Sequence, residues 1–345
     1  MPVRPVLSLA PMQDVSVLPL WRCLSRRGGP DLYVTEYLRV HRDSVPEKAV
    51  LASIRGMSGR APVVAQMIGN DPEHLVRTAK FVQENSDCAG IDVNLGCPAP
   101  KVCGKLAGGA LLKNKDLIRR IAVDLRSVVA GSLTLKTRVG FESEGEFDEL
   151  LELFAELPID GLAVHGRTVR ERYQSAVHTE CIARAVGRLP FPVTANGSIV
   201  SAAAASGMLA RTGAAGLMIG RGGIRNPWLF EQIRAEGSGE LSPRPRLRDV
   251  LDYILELTKE VDREGNFHGP AQLVHRMKKF TNYIASGLGG GALNERLRRA
   301  TTRQEFESAC RDGLSSDDPF PEEPVEDRKL FCGFRDLVEA KVPVV

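Results

Sequence analysis

The stretch Gly90–Pro98 reads GIDVNLGCP, a short apolar-rich run that breaks off into Asn94, Gly96, Cys97 and Pro98. The run suits a β-strand, and the Gly/Pro bracket sets the cysteine on a tight turn rather than in a helix. The same two-part pattern recurs along the chain. Strands are expected at Val6–Ala10, Leu32–Thr35, Val63–Met67, Gly90–Asn94, Thr134–Thr137, Leu162–His165, Val193–Ala195 and Leu217–Ile219. Most are apolar at consecutive positions, as parallel strands covered on both faces are. Helical patterns fill the gaps: Asp71-Pro72 opens one to about Glu84, and Lys115–Val129, Glu146–Leu157, Thr179–Arg188, Ser201–Arg211 and Pro227–Ala235 follow.

Two architectures share this rhythm, and the placement of unusual residues separates them. Met12, Glu36, Gln66, Asn94, Cys97, Lys136, Arg138, His165, Arg167, Asn196, Gly197, Gly220 and Arg221 all sit at or just after strand C-terminal ends. An open doubly wound sheet gathers only the ends beside its switch point. A closed barrel gathers them all around one mouth. The expected fold is therefore α/β, a (β/α)8 TIM barrel over residues 1–240. The segment Glu236–Arg246 (EGSGELSPRPR) has linker composition. Beyond it a smaller, all-helical domain is expected over 241–345, with helices at Leu247–Glu264, Pro270–Ser286, Asn294–Ala300, Arg303–Gly313 and Leu330–Lys341.

Composition narrows the class of protein. In 345 residues the apolar share is 43% and the charged share 26%, so a sizeable core is available and disorder is excluded as the main state. No apolar run is long enough to span a bilayer, and Met1–Leu9 lacks a signal-peptide pattern, so no membrane contact and a cytoplasmic location are expected. The seven cysteines include no C-x-x-C pair, which argues against structural zinc or a disulfide framework; no metal is expected. Net charge is only +3, yet it is unevenly spread. Gly265–Arg311 holds eight basic residues against three acidic ones, whereas Asp312–Asp327 holds seven acids and no base.

Three groups could carry chemistry. Cys97 has no neighbouring His in the sequence, so it reads as a neutral thiol, better suited to donate a proton than to attack. Lys136 could be an ion-pair partner, a Schiff-base amine, or a fixed positive charge beside an anionic ring. Asn196-Gly197-Ser198 and Gly220-Arg221-Gly222 lie in the loops after strands seven and eight, where barrels commonly bind phosphate. Gly287–Ala292 fits G-x-G-x-x-A but follows a helix, so it does not support a dinucleotide fold.

Taken together, APM at Ala10–Met12, TE at Thr35-Glu36, Gln66, DVNLGCP at Asp92–Pro98, GGALLKN at Gly108–Asn114, KTRVG at Lys136–Gly140, HGRT at His165–Thr168, ANG at Ala195–Gly197 and IGRG at Ile219–Gly222 resemble the tRNA-dihydrouridine synthases of bacterial type. The resemblance implies an FMN-dependent oxidoreductase that uses NADPH to reduce the C5=C6 bond of uridine in tRNA. It implies that Pro11 and Met12 lie against the flavin ring, and that Gln66 and Lys136 bond its pyrimidine edge. His165, Asn196, Gly197, Ser198, Gly220 and Arg221 would hold the ribityl phosphate end. Cys97 would be the general acid, with Asn94, Arg138 and Tyr173 on the substrate side. The basic helices of Gly265–Arg311 would contact RNA phosphates, and a monomer is expected. Departures from the family pattern are the Gln174-Ser175-Ala176 run after Tyr173, a second thiol at Cys103, and the acidic Asp317–Asp327 segment. The competing readings are a flavin-dependent reductase of a free pyrimidine or small enone, like dihydroorotate dehydrogenases, a Schiff-base lyase using Lys136, and an RNA-binding protein without catalysis.

Overall fold

The computed structural model describes residues 4–265, 269–327 and 329–339. Its strands in chain order are β1 (Val6–Leu9), β2 (Leu32–Val34), β3 (Leu38–Arg39), β4 (Val63–Ile68), β5 (Gly90–Asn94), β6 (Ser132–Arg138), β7 (Gly161–His165), β8 (Val193–Asn196) and β9 (Gly216–Ile219). Every pairing is parallel. Going round, β1, β2, β4, β5, β6, β7, β8 and β9 follow one another, and β9 pairs back onto β1, which closes the expected eight-stranded barrel. The two-residue β3 is an addition that extends the end of β4.

The helices on the outside are α1 (Leu18–Ser25), α2 (Lys48–Gly56), α3 (Pro72–Asn85), the short α4 (Pro100–Cys103), α5 (Lys115–Arg126), α6 (Phe147–Ala155), α7 (Thr179–Arg188), α8 (Ala202–Thr212), α9 (Arg221–Arg225) and α10 (Leu229–Ser238). Local chemistry sets several ends. Asp71 caps α3 by accepting the His74 amide at 3.0 Å, with Pro72 in the first turn. Ser201 caps α8 at the Ala204 amide, and Gly213 closes it at a φ of 66° that suits glycine. Helices α1, α2, α4 and α9 have no clear sequence signature. In α1 the run Leu18–Trp21 is buried throughout, together with Cys23 and Leu24, so tertiary packing rather than amphipathic pattern decides it.

Two apolar zones result. The larger lies between the strands and their helices, and the smaller, formed by Ala10, Val34, Ala163 and Met218, plugs the barrel interior. Small side chains in that plug leave open space above it, at the strand C-terminal ends.

Past the barrel come α11 (Leu247–Arg263), α12 (Pro270–Ile284), α13 (Ala292–Arg299) and α14 (Arg303–Leu314). They pack on one another and meet the barrel through α1 against α11 and α9 against α12. The helix expected over 330–341 needs correction. Only α15 (Arg335–Val338) is helical, preceded by an irregular run in which Gly333 has a φ of 65°, and residues 340–341 fall outside the described residues. This final segment lies on the barrel, with α15 against α8.

Candidate active site at the barrel mouth

Strand register brings the polar strand ends into one ring. Asn94 pairs with Lys136, Arg138 with His165, and His165 with Asn196. Because side chains alternate across a strand, Lys136 and Arg138 share a face, as do Asp92 and Asn94. A cavity of about 510 Å³ opens above this ring. Of the residues expected at the site, Pro11, Met12, Asn94, Cys97, Lys136, Arg138, His165, Tyr173, Asn196, Gly197, Ser198, Gly220 and Arg221 all line it. Gln66 does not reach the wall. It lies fully buried below, where its Nε2 donates to Asp92 Oδ2 at 2.7 Å and its Oε1 accepts from Asn94 Nδ2 at 2.9 Å.

The cysteine turn is built by Asn94, whose Oδ1 accepts the amides of Gly96 at 3.0 Å and Cys97 at 2.9 Å. From the other side, the Cys97 carbonyl accepts the Gly109 amide at 3.1 Å. A Cβ on Gly108, whose φ is 58°, would stand 3.0 Å from Cys97 Cβ, so the GGALLKN glycines are what lets that loop close over the cysteine. The thiol is half-buried on the cavity wall, with Tyr37 hydrogen-bonded beside it. Burial, then the proximity of Cys97, raises the Tyr37 phenol. The second thiol, Cys103, donates to the Cys97 carbonyl at 3.4 Å.

Positive charge dominates the rest of the wall. Lys136 Nζ donates to Asn196 Oδ1 at 3.0 Å, and Asn196 in turn donates to the Met218 carbonyl. Burial first, and Arg138 second, lower the Lys136 ammonium to about 8. Below it the Asp92 carboxyl is raised to about 6, chiefly by burial. At neutral pH both therefore carry charge. Arg138 is spent on carbonyls, those of Gly96, Thr168 and Arg172, each at 2.7 Å. The Tyr173 ring sits between two guanidinium groups, 5.1 Å from Arg138 and 4.9 Å from Arg221. Arg167 is fully buried and reaches Ser198 Oγ at 2.7 Å and His165 Nε2 at 3.3 Å. An arginine can only donate, so His165 accepts at Nε2 and carries its proton at Nδ1. Burial and four surrounding cations hold its pKa well below the usual imidazole value, which keeps it neutral. Among the described residues, no carboxylate lies within ion-pair distance of Lys136, Arg138, Arg167 or Arg221. Lys136, Arg138 and Arg221 on the wall, with Arg167 buried behind it, make a site for an anion.

Tyr37, Arg167, Tyr283 and the segment Lys329–Phe334 were not among the expected site residues. Arg167 stood inside the HGRT motif, where its strand-end position was a usable signal. Lys329, Leu330, Phe331 and Phe334 line the cavity from the far end of the chain, and nothing in their local sequence announces it.

A second hollow of about 440 Å³ lies alongside and shares Gln13, Val15 and Tyr283 with the first. His275, Lys278, Lys279 and Arg298 line it. The basic character expected of Gly265–Arg311 is narrower in the fold than in the sequence. Arg296 pairs with Asp312, Arg299 with Glu295, Arg303 with Asp262 and Glu307, and Arg276 and Lys279 with Asp14. Lys278 donates to the Arg298 carbonyl and, like Arg298, has no acidic partner among the described residues. Among those residues no cluster of His, Cys, Asp or Glu could hold a metal ion, and no helix is long and apolar enough to cross a membrane.

The barrel has solved counterparts. Histamine dehydrogenase from Rhizobium sp. 4-9 superposes with a TM-score of 0.54 at 14% identity, over 90% of this chain and 62% of its own. A 2-naphthoyl-CoA reductase superposes at 0.52 with 10% identity, over 69% of this chain and 50% of its own. Both likenesses speak to the fold alone. Sequence relatives are more telling. tRNA-dihydrouridine synthase B of Xanthomonas axonopodis pv. citri (strain 306) is 32% identical over 82% of this chain and 84% of its own length. The tRNA-dihydrouridine(16) synthase of Cupriavidus necator is 32% identical over 87% and 95%. The family model described as dihydrouridine synthase matches residues 8–316, a span that runs from within β1 through α14. On this match and these identities, the chain belongs to the dihydrouridine synthase family.

Proposed function

We propose that this chain reduces the C5=C6 bond of uridine in tRNA to 5,6-dihydrouridine, with FMN as bound cofactor and NADPH as reductant. The observation that carries the reading is a half-buried thiol facing a cavity whose cations lack acidic partners. That donor set fits FMN. Arg221 and the backbone N–H groups of Gly197 and Ser198 would hold the phosphate with Arg167 buried behind them, Lys136 and Asn196 the polar edge of the ring, and Pro11 and Met12 its apolar face. Gly197, with a φ of 129°, has no room for a Cβ beside His165 and Val177, so its backbone stays open to an incoming oxygen. When bound, the flavin supplies two electrons and one hydrogen to uracil C6, drawn in turn from NADPH.

The remaining work falls to side chains. Cys97 gives its thiol proton to C5, which completes the addition of two hydrogens, and the thiolate regains a proton from solvent. Asn94 fixes the turn that aims this thiol, and one Nδ2 hydrogen is left for the base. Lys136, charged at neutral pH, favours negative charge at the ring edge. A uracil reaches the cavity only after leaving the RNA stack. Lys278 and Arg298, beside the mouth, draw in the flanking phosphates. One chain holds every group named here, so a monomer suffices.

The test is incubation of the purified chain with FMN, NADPH and an unmodified tRNA transcript, followed by mass spectrometry of the nucleosides. A two-hydrogen gain on uridine is expected, together with loss of product and retention of FMN in Cys97→Ala. Flavin-loaded protein that reduces free uracil but leaves tRNA untouched would overturn the RNA assignment.

A further inference from the structure

Residues 317–327 and 329–339 lie beyond the span matched by the family model, yet Lys329, Leu330, Phe331 and Phe334 among them close one end of the cavity. Their anchoring is specific. Arg225 grips the segment at the carbonyls of Pro321, Glu322 and Glu323, at 2.8–3.1 Å, with its guanidinium 4.5 Å from the Phe320 ring. The chain then turns at Asp327, whose Oδ1 accepts the amides of Lys329 and Leu330 at 2.6 and 2.7 Å. Glu326 accepts the Gly333 amide at 2.6 Å. At the far end α15 sits on α8, where Arg211 donates to the Asp336 carbonyl at 2.6 Å.

Between these anchors the segment meets the anion end of the site. The Cys332 carbonyl accepts from Arg167 Nη2 at 2.9 Å and from Ser198 Oγ at 2.8 Å, and the Leu330 carbonyl accepts from Arg221. Phe331 and Phe334, 2% and 1% exposed, complete the wall. We infer that residues 329–339 form a clasp over the phosphate end of the bound cofactor, aiming Arg221 from above and bracing Arg167 and Ser198 behind the barrel loops that hold the phosphate from below. This inference rests on the FMN reading.

The chemistry of the contacts supports a clasp rather than a plug. The segment offers these arginines backbone carbonyls, which orient a guanidinium without cancelling its charge. No acid lines the cavity wall among the described residues, and the two just before the segment are spent elsewhere: Asp327 on the turn, and Glu326 on Gly333 and Arg335. Asp327 acts on Arg221 only at a distance, as a minor influence next to burial. The cations thus stay available to an anion, and Lys329 adds another on the same wall. Two buried aromatic rings keep water from that end, which strengthens every charge interaction inside it. A cofactor held this way leaves only when the clasp lifts, so the effect falls on the release rate.

Two glycines outside the cavity wall allow a test in the full-length chain. A Cβ on Gly207 of α8 would stand 1.9 Å from the Leu337 carbonyl oxygen, and one on Gly333 would stand 2.7 Å from Ala176 Cα. Gly207→Ala therefore displaces the clasp from behind while raising the helix propensity of α8, and Gly333→Ala displaces it from the front. The readout is FMN release, followed by recovery of free-flavin fluorescence on dilution. Both variants are expected to release FMN about tenfold faster or more, which corresponds to roughly 1.4 kcal/mol. In the unaltered chain, amide exchange across 329–339 is expected to slow when FMN is added, a measurement that needs no variant. Parent-like release in both variants, or exchange indifferent to FMN, overturns the clasp alone. A parent chain that takes up no FMN overturns the cofactor reading and the clasp with it.

Discussion

The side-chain oxygen of Asn94 accepts the backbone N–H of Cys97 at 2.9 Å, so the residue at the end of β5 sets the direction of the thiol three positions later. The same oxygen takes the Gly96 amide, and the amide nitrogen of Asn94 is steadied by Gln66. Asn94→Ala orphans two backbone donors at a cost of about 1–3 kcal/mol. Product formation is expected to fall about 100-fold through misplacement of the thiol, with FMN affinity little changed. Asn94→Asp keeps the acceptor for the two amides but turns a second oxygen toward Gln66 Oε1, so it should recover only part of the stability. Single-turnover dihydrouridine yield and thermal melts check both.

Lys136 predicts a pH dependence for cofactor binding. Its ammonium is lowered from 10.5 to about 8 in the free protein. The folded chain thus binds this proton less tightly than the unfolded one, and the associated stability is recovered as pH rises from about 8 toward 10.5. Binding of an anion runs the other way, because it needs the charged form. FMN affinity should be flat below about pH 8 and weaken up to tenfold per unit above it. In Lys136→Met that break should vanish, which titration of flavin fluorescence at a series of pH values will show.

Asp92 makes the complementary case. Burial raises its carboxyl from 3.8 to about 6, so the folded state holds the proton more tightly than the unfolded chain does. The stability this confers is complete below about 3.8 and lost as pH rises through about 6. Melting temperature of Asp92→Asn relative to the parent should therefore improve steadily across that window. A difference that stays constant with pH would mean that the carboxyl does not titrate there.

For RNA binding, the fold selects among residues the sequence treats alike. Lys278→Glu and Arg298→Glu, beside the second hollow and without acidic partners, should raise the tRNA KM. Together they should reduce the salt dependence by about two ion equivalents. Arg299→Glu should do less, because Glu295 already neutralises that arginine at 2.5 Å. Equal effects from Arg298 and Arg299 would move the RNA path away from the hollow.

Much of the site was legible because barrel chemistry is local. A strand end is marked by the residues that follow it, and GIDVNLGCP, KTRVG, HGRT and ANG each announce one; the observed β5 matches the expected Gly90–Asn94. Helix α7 ends where expected for a similar reason, with its apolar face repeating at helical spacing over Thr179–Arg188. Helix α1 was not legible, since its eight residues carry only Arg22 and Ser25 as polar positions, too few to set a period.

The sequence alone thus marked the strand ends and the cysteine turn, which depend on neighbours a few residues apart, and the strand–helix alternation that a closed parallel barrel follows. Only the three-dimensional arrangement decided what the cations around the cavity meet: Arg167 and Arg221 reach carbonyls rather than carboxylates. It also decided that a segment from the far end of the chain roofs the cavity. Such contacts join residues more than 100 positions apart, and their pairing depends on which surfaces come together on folding rather than on any local pattern.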